Sequence, residues 1–318
     1  MQVDEIRKVA VVGAGLMGHG IAQEFALGDY EVRLVSRSKE SLERALHNIR
    51  GNLDRLMGFG MVSREQAEIV LDNIYPTVEF AEATDSVDVV IESVYEDLEL
   101  KKQIFQQLDE MCPERTILAS NTSSLMPSAF AAATRRPDRV LVTHYANPPY
   151  LIPLVEIVRG RNTSDETVVT ISGLLEKLGK RTIVAQKEVP GFILNRLQAA
   201  LLREALWLVE NGVASPQAVD AGIRNSIGRR WAVAGIFEIF DLAGWDLLLN
   251  MVSELQAHLS ASPKVSPVLA EKVQCGELGV KTGKGFYEWT PEAAEGLRER
   301  IAQALIEIEK WSVRNKRE

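Results

Sequence analysis

Up to Ala185 the chain alternates between short apolar runs and longer amphipathic stretches. Val9–Val12, Val32–Val35, Val87–Ile91, Thr116–Ala119, Val140–Thr143, Leu154–Val158 and Thr182–Ala185 are short and rich in aliphatic or β-branched residues, and each reads as a strand. Ile74–Thr77 adds a further short candidate. Continuous apolar runs, rather than strict alternation, are the mark of strands covered on both faces in a parallel sheet. Between them lie helical patterns. Ile21–Leu27 is apolar-rich, and Glu40–Leu56 carries Leu42, Leu46, Ile49, Leu53 and Leu56 on one face. Ser63 starts a short helix to Leu71, Asp97–Met111 is helical by pattern, and Ser164–Leu178 ends at Gly179. Strands alternating with helices predict a doubly wound α/β domain of Rossmann type.

The pattern changes after Pro190-Gly191. Phe192–Glu210 is a long apolar helix, and breaks at Gly212, Ser215 and Gly228 separate further helical stretches. Lys281–Tyr287 reads as a loop with a basic tip, and Ala293–Trp311 as a charged amphipathic helix. Strand-like runs are scarce here. The expected division is residues 1–188 for the α/β domain and 189–318 for an all-α domain.

Composition narrows the class. The 318 residues suit two domains, and 46% hydrophobic residues suffice for ordinary globular cores. A net charge of −8 argues against a general nucleic-acid binder. Cys112 and Cys275 are too few for a disulfide framework and lack metal-site spacing, so no metal is expected and a reducing compartment fits. Met1–Lys8 has no apolar signal region, and no run approaches the roughly 18 residues of a membrane helix. The expected setting is cytoplasmic, away from membranes.

The chemistry starts at Gly13-Ala14-Gly15-Leu16-Met17-Gly18, glycines in G-x-G-x-x-G spacing between a strand and a helix. The first glycine permits the turn, the second lets backbone approach a pyrophosphate, and the third lets helix pack on strand. Free N–H groups at the helix start face the anion. Gly13, Gly15, Leu16, Met17 and Gly18 are therefore candidates for holding a dinucleotide. About 20 residues later an acid usually takes the ribose 2′-hydroxyl. Here Ser36-Arg37-Ser38-Lys39 stands instead, which suits a 2′-phosphate or is a solvated loop. The expected cofactor is NAD or NADP, with Ser36 and Arg37 tilting toward NADP.

Further candidates sit at strand ends, where such sheets bind ligands. Glu92 and Glu96 follow one strand. Ser120-Asn121-Thr122-Ser123-Ser124 follows another, offering hydroxyls and the Asn121 amide to a ligand or capping a helix. His144 ends a third strand. The excursion Pro148–Pro153 can bring Glu156 back to it, so that the carboxylate fixes the imidazole while the second ring nitrogen takes a hydroxyl proton. Alone, the two residues read more readily as a structural histidine and an unrelated glutamate.

Several segments together resemble the 3-hydroxyacyl-CoA dehydrogenase family, in order and spacing: Val12–Gly18, Val90–Lys101, Ser120–Ser124, His144–Glu156, Pro190–Leu197, Phe237–Asp241 and Lys281–Tyr287. The resemblance implies that His144 is the catalytic base and Glu156 its partner. It implies that Ser123 and Asn195 hold the substrate's oxygens, that Glu96 and Lys101 contact the cofactor, and that Asn147 belongs to the same site. It also implies a homodimer through the helical domain, ligands in an interdomain cleft, and a place in fatty acid metabolism. Departures bear on the substrate. Leu56–Met61 (LMGFGM) is uncharged where CoA-using members often carry lysines. Leu125–Ser128, Asn147–Leu154 and Arg230–Val233 look more like the branch acting on small free acids, typified by gulonate 3-dehydrogenase (lambda-crystallin) and carnitine dehydrogenase. There Arg230, or Arg224 or Arg229, could hold a carboxylate. The expectation is an NAD(P)-dependent oxidoreductase interconverting a 3-hydroxyacyl compound and its 3-keto form. The alternatives are a small CoA-free 3-hydroxy acid as substrate, or a non-catalytic crystallin-like protein.

Overall fold

A computed structural model of the chain describes residues 1–314. Eight strands form one sheet: β1 (Lys8–Val12), β2 (Glu31–Val35), β3 (Ile74–Thr77), β4 (Val89–Glu92), β5 (Ile117–Ser120), β6 (Val140–Tyr145), β7 (Leu154–Arg159) and β8 (Arg181–Ala185). Their order is β3-β2-β1-β4-β5-β6-β7-β8, and every neighbouring pair is parallel except β6 with β7. β1 turns from β2 on one side to β4 on the other, which makes the end of β1 the switch point where α/β sheets bind ligands. Helices cover both faces of the central strands, so β4, β5 and β6 are buried at every position; they are aliphatic along most of their length and polar only toward their C-terminal ends, at Glu92, Ser120 and Thr143-His144.

The helices of this part are α1 (Gly18–Leu27), α2 (Lys39–Gly58), α3 (Arg64–Asp72), α4 (Phe80–Thr84), α5 (Leu98–Met111), α6 (Pro127–Ala131) and α7 (Asp165–Lys177). Their starts are chemically specified. Ser38, Ser63, Asp97 and Ser164 each accept a backbone N–H from the first turn of α2, α3, α5 and α7. Thus the second hydroxyl of Ser36–Lys39 is a helix cap. The short helices α4 and α6 carried too few turns to show a period in the sequence.

The chain divides into two compact units, Met1–Arg196 and Leu197–Glu318. The second is helical: α8 (Leu194–Glu210) leads into it, then α9 (Pro216–Gly222), a π-helical turn at Ile223–Ile227, α10 (Gly228–Trp231), α11 (Ile236–Ala243), α12 (Trp245–Leu255), α13 (Pro267–Gln274) and α14 (Pro291–Arg314). The mostly parallel sheet and the helical second part are the fold class the sequence predicts. No helix among the described residues is long and apolar enough to cross a membrane.

Candidate active site

The glycine turn has the shape of a dinucleotide cradle. Gly13 has φ +107°, and a Cβ there would lie 2.4 Å from the Ser93 carbonyl oxygen. A Cβ at Gly18 would lie 1.8 Å from the Gly13 carbonyl oxygen, so the helix can start only where a side chain is absent. Gly15 has nothing within 4 Å of its Cβ position: the turn is open at the glycine that approaches the pyrophosphate. Leu16 is 71% exposed and Met17 half-buried on the same turn. These residues fit the dinucleotide implied by the motif. At the end of β2, Ser36 is half-buried and Arg37 exposed, its guanidinium carbon 5.8 Å from the Tyr95 ring centroid.

At the ends of β4 and β5 the residues separate into supports and free groups. Glu92 is fully buried. Lys101 donates to both its oxygens at 2.7 and 2.8 Å, the Ser120 hydroxyl donates at 2.6 Å, and the Val94 N–H at 2.7 Å. The sequence placed Glu92 at a ligand-facing strand end; it is instead an interior hub, because Lys101, Ser120 and the Val94 N–H enclose its carboxylate. Lys101, expected at the cofactor, is 1% exposed and lies between Glu92 and Glu96, 3.7 Å from the latter. One oxygen of Glu96 accepts the hydroxyls of Thr122 (2.5 Å) and Ser124 (2.8 Å) and the N–H groups of Ser123 and Ser124. Burial pushes the Glu96 carboxyl up, but these hydrogen bonds and the Lys101 charge outweigh it and hold the group below its ordinary value.

The Ser120–Ser124 row caps no helix, since α6 begins later, after Met126. Ser120, Thr122 and Ser124 spend their hydroxyls on the two glutamates, and Ser123 is left with a hydroxyl that has no partner among the described residues. Asn121 is a brace: its oxygen accepts the Tyr145 N–H at 3.0 Å, and its amide donates to the Ser93 hydroxyl at 3.2 Å. Asn195 donates to the Ser123 carbonyl at 2.7 Å.

β6 extends two residues beyond the sequence reading, so His144 lies within the strand. The antiparallel register sets it directly opposite Glu156 on β7. His144 Nδ1 is 3.0 Å from Glu156 Oε2, with the carboxylate at 0% exposure. The other carboxylate oxygen accepts the Ile193 N–H at 2.5 Å. Phe192, fully buried at φ +50°, stands edge-on to the His144 ring with centroids 5.8 Å apart. Sequence reading missed Phe192 and Ile193; the adjacent Pro190-Gly191 was the available signal. Asn147 is exposed at the start of the loop after β6. Arg230 lies on α10 of the second unit, with Arg229 beside it and Arg224 on the preceding π-helical turn.

Two family models cover most of the chain: the 3-hydroxyacyl-CoA dehydrogenase NAD-binding domain at residues 8–189 and the C-terminal domain of the same family at residues 191–289. Among curated proteins, the chain is 33% identical over 305 residues to 5-formyl-3-hydroxy-2-methylpyridine 4-carboxylate 5-dehydrogenase from Mesorhizobium japonicum, covering 95% of this chain and 97% of the relative. It is 35% identical over 283 residues to a 3-hydroxybutyryl-CoA dehydrogenase from Clostridioides difficile, covering 89% and 99%. It is 38% identical over 272 residues to the human lambda-crystallin homolog, covering 83% and 85%. A solved structure described as the pyridine carboxylate 5-dehydrogenase, an NAD+-dependent dismutase, matches with a TM-score of 0.85 at 33% identity over 96% of this chain and 98% of that one. The chain is an NAD-dependent oxidoreductase belonging to the 3-hydroxyacyl-CoA dehydrogenase family.

Proposed function

We propose that this enzyme interconverts a 3-hydroxy compound and its 3-keto form, with His144 as the base, Glu156 as its partner, and a small free acid as substrate. The observation that carries the first part is the buried His144–Glu156 contact at 3.0 Å, set by strand register. Gly13, Gly15 and Gly18 would hold the dinucleotide by its pyrophosphate, and its nicotinamide would supply the hydride acceptor or donor. The carboxylate holds the ring proton on Nδ1 and leaves Nε2 as the acceptor for a substrate hydroxyl proton. It then stabilises the imidazolium, and the buried Phe192 edge keeps water off one side of the ring. Ser123, with its hydroxyl unspent, and Asn195, tied to the Ser123 carbonyl, orient the substrate oxygen, and the exposed Asn147 is assigned to the same site on the family resemblance. Glu96 and Lys101 then serve the site by fixing the Ser123 loop.

Two features support a free acid over an acyl-CoA. Leu56–Met61 offers no cation to CoA phosphates. One relative of high coverage carries a name describing a pyridine carboxylate without CoA. Arg230, Arg229 and Arg224, on the helical unit, are the cations the sequence offers for such a carboxylate. The 3-hydroxybutyryl-CoA relatives make the thioester the competing reading. Ser36 and Arg37 favour NADP over NAD, because no acid at that strand end repels a 2′-phosphate. The exposed Phe237, Leu242, Leu247 and Leu249 on α11 and α12 support a homodimer through the helical part.

The test is turnover with NAD+ and with NADP+ against a panel of 3-hydroxy acids and their CoA esters, for the wild type and His144→Ala. Loss of turnover in the variant with dinucleotide binding intact is expected. Wild-type activity in His144→Ala would remove the proposed base.

A further inference from the structure

The loop of residues 146–153 joins the strand of His144 to the strand of Glu156. It is tied down at points that the chemistry above does not use. Lys180, just before β8, is buried; its ammonium donates to the Pro149 carbonyl at 2.7 Å and pairs with the carboxylate of Glu24 on α1. The next residue, Arg181, donates its N–H to the Pro153 carbonyl at 2.8 Å. On α1, Gly20 faces Pro149 so closely that a Cβ would lie 2.7 Å from the proline ring. α1 is also the helix whose start forms the dinucleotide cradle. One side of this loop therefore rests on the cofactor helix, and two of its carbonyls hang from the consecutive residues Lys180 and Arg181 at the start of β8.

A buried ion pair is a poor device for stability alone, since apolar side chains of equal volume often do as well. An apolar pair cannot supply a donor to a carbonyl. An ammonium has three N–H groups, and Lys180 uses them on a charge and on the loop at once. Glu24 is the counter-charge that makes a cation tolerable at this depth. The Tyr145 hydroxyl, on the last residue of β6 before this loop, is buried without a partner among the described residues, and burial together with the Glu24 charge pushes its ionisation up.

We propose that Lys180, held by Glu24, is a positioning residue that locks the 146–153 loop against the cofactor helix and so sets His144 and Asn147 relative to the dinucleotide. This rests on the reading of His144 as the base. Displacing reacting groups by about 1 Å can cost about 100-fold in rate, so the register of this loop matters although Lys180 touches no reacting atom.

The experiment uses the full-length protein as Glu24→Gln/Lys180→Met, which leaves no unpaired buried charge, beside Lys180→Arg, which keeps donors for both partners. Amide hydrogen exchange is read by mass spectrometry. Exchange of the 146–153 peptide is expected to rise about tenfold or more in the double variant while β1 and β4 peptides stay unchanged, and to return toward wild type in Lys180→Arg. On the substrate found in the panel, kcat is expected to fall at least about tenfold, with KM for the dinucleotide held within about twofold. Unchanged exchange in 146–153, or a rise spread evenly over the sheet, overturns the proposal. His144→Ala, with wild-type exchange, separates the two readings: turnover surviving there would refute the base and leave the loop lock to stand or fall on exchange.

Discussion

Glu156→Gln tests the site at its best-determined point. The substitution keeps shape and removes charge. In the wild type the two carboxylate oxygens accept from His144 Nδ1 at 3.0 Å and from the Ile193 N–H at 2.5 Å, at 0% exposure. An amide has one acceptor and one donor end, so it can satisfy only one of them. If its oxygen keeps Ile193, its N–H₂ faces Nδ1 and forces the ring proton onto Nε2, the atom required as base. If its oxygen keeps His144, two donors confront each other at Ile193. The first arrangement is cheaper, because an unsatisfied buried N–H costs about 1–3 kcal/mol. The enzyme then holds the wrong tautomer. General acid–base catalysis contributes about 10²–10⁴-fold, so kcat is expected to fall by about that factor with dinucleotide affinity unchanged. The assay is nicotinamide absorbance under saturating cofactor, with affinity read separately by fluorescence titration. A kcat within about threefold of wild type would refute the assignment of Nε2 as the base, since threefold is far less than a positioned base contributes.

Further outcomes follow from other parts of the structure. Lys101→Met leaves Glu92 buried without its cation, and chemical denaturation is expected to show a loss of about 3–5 kcal/mol, softened only as far as Ser120 and the Val94 N–H can serve Glu92 alone. In cofactor titrations, Arg37→Ala is expected to lose any preference for NADPH over NADH, and Ser36→Asp to reverse it; equal affinities in all three proteins would make the pair a bystander. Glu96 is held below its ordinary 4.5, so its contribution to stability is complete above that pH and is lost as pH falls through the lowered native value. Thr122→Val should therefore flatten the fall in melting temperature on acidification below pH 4.5. Burial pushes the Cys112 thiol up to about 12, whereas Cys275 is exposed, so brief alkylation of the folded protein at neutral pH should give a single adduct at Cys275 by mass spectrometry.

What the sequence determined alone was local. Short, β-branched runs such as Val9–Val12 and Val140–Thr143, bounded by turns, favour buried strands, and Gly13, Gly15 and Gly18 specify the turn after the first of them because a Cβ at Gly13 or Gly18 would collide with backbone. The serine and aspartate caps fixed the starts of α2, α3, α5 and α7 within a residue or so. The partner of His144 was legible only as a possibility, because a sequence shows that a chain returns but not in which register. The antiparallel pairing of β6 and β7 decided it, and a slip of one residue would have put Glu156 on the other face. Tertiary structure also sorted residues of one type into different tasks. Glu92 and Glu96 look alike along the chain, yet one is an interior hub and the other the anchor of the Ser123 loop. Lys101, which the family resemblance puts at the cofactor, is wholly buried between Glu92 and Glu96, and Lys180 reaches a carbonyl 31 positions away. Those outcomes depend on which strand ends meet in space. Residue type and spacing cannot carry that information, because the partners lie on different elements and only the assembled sheet brings them within hydrogen-bonding distance.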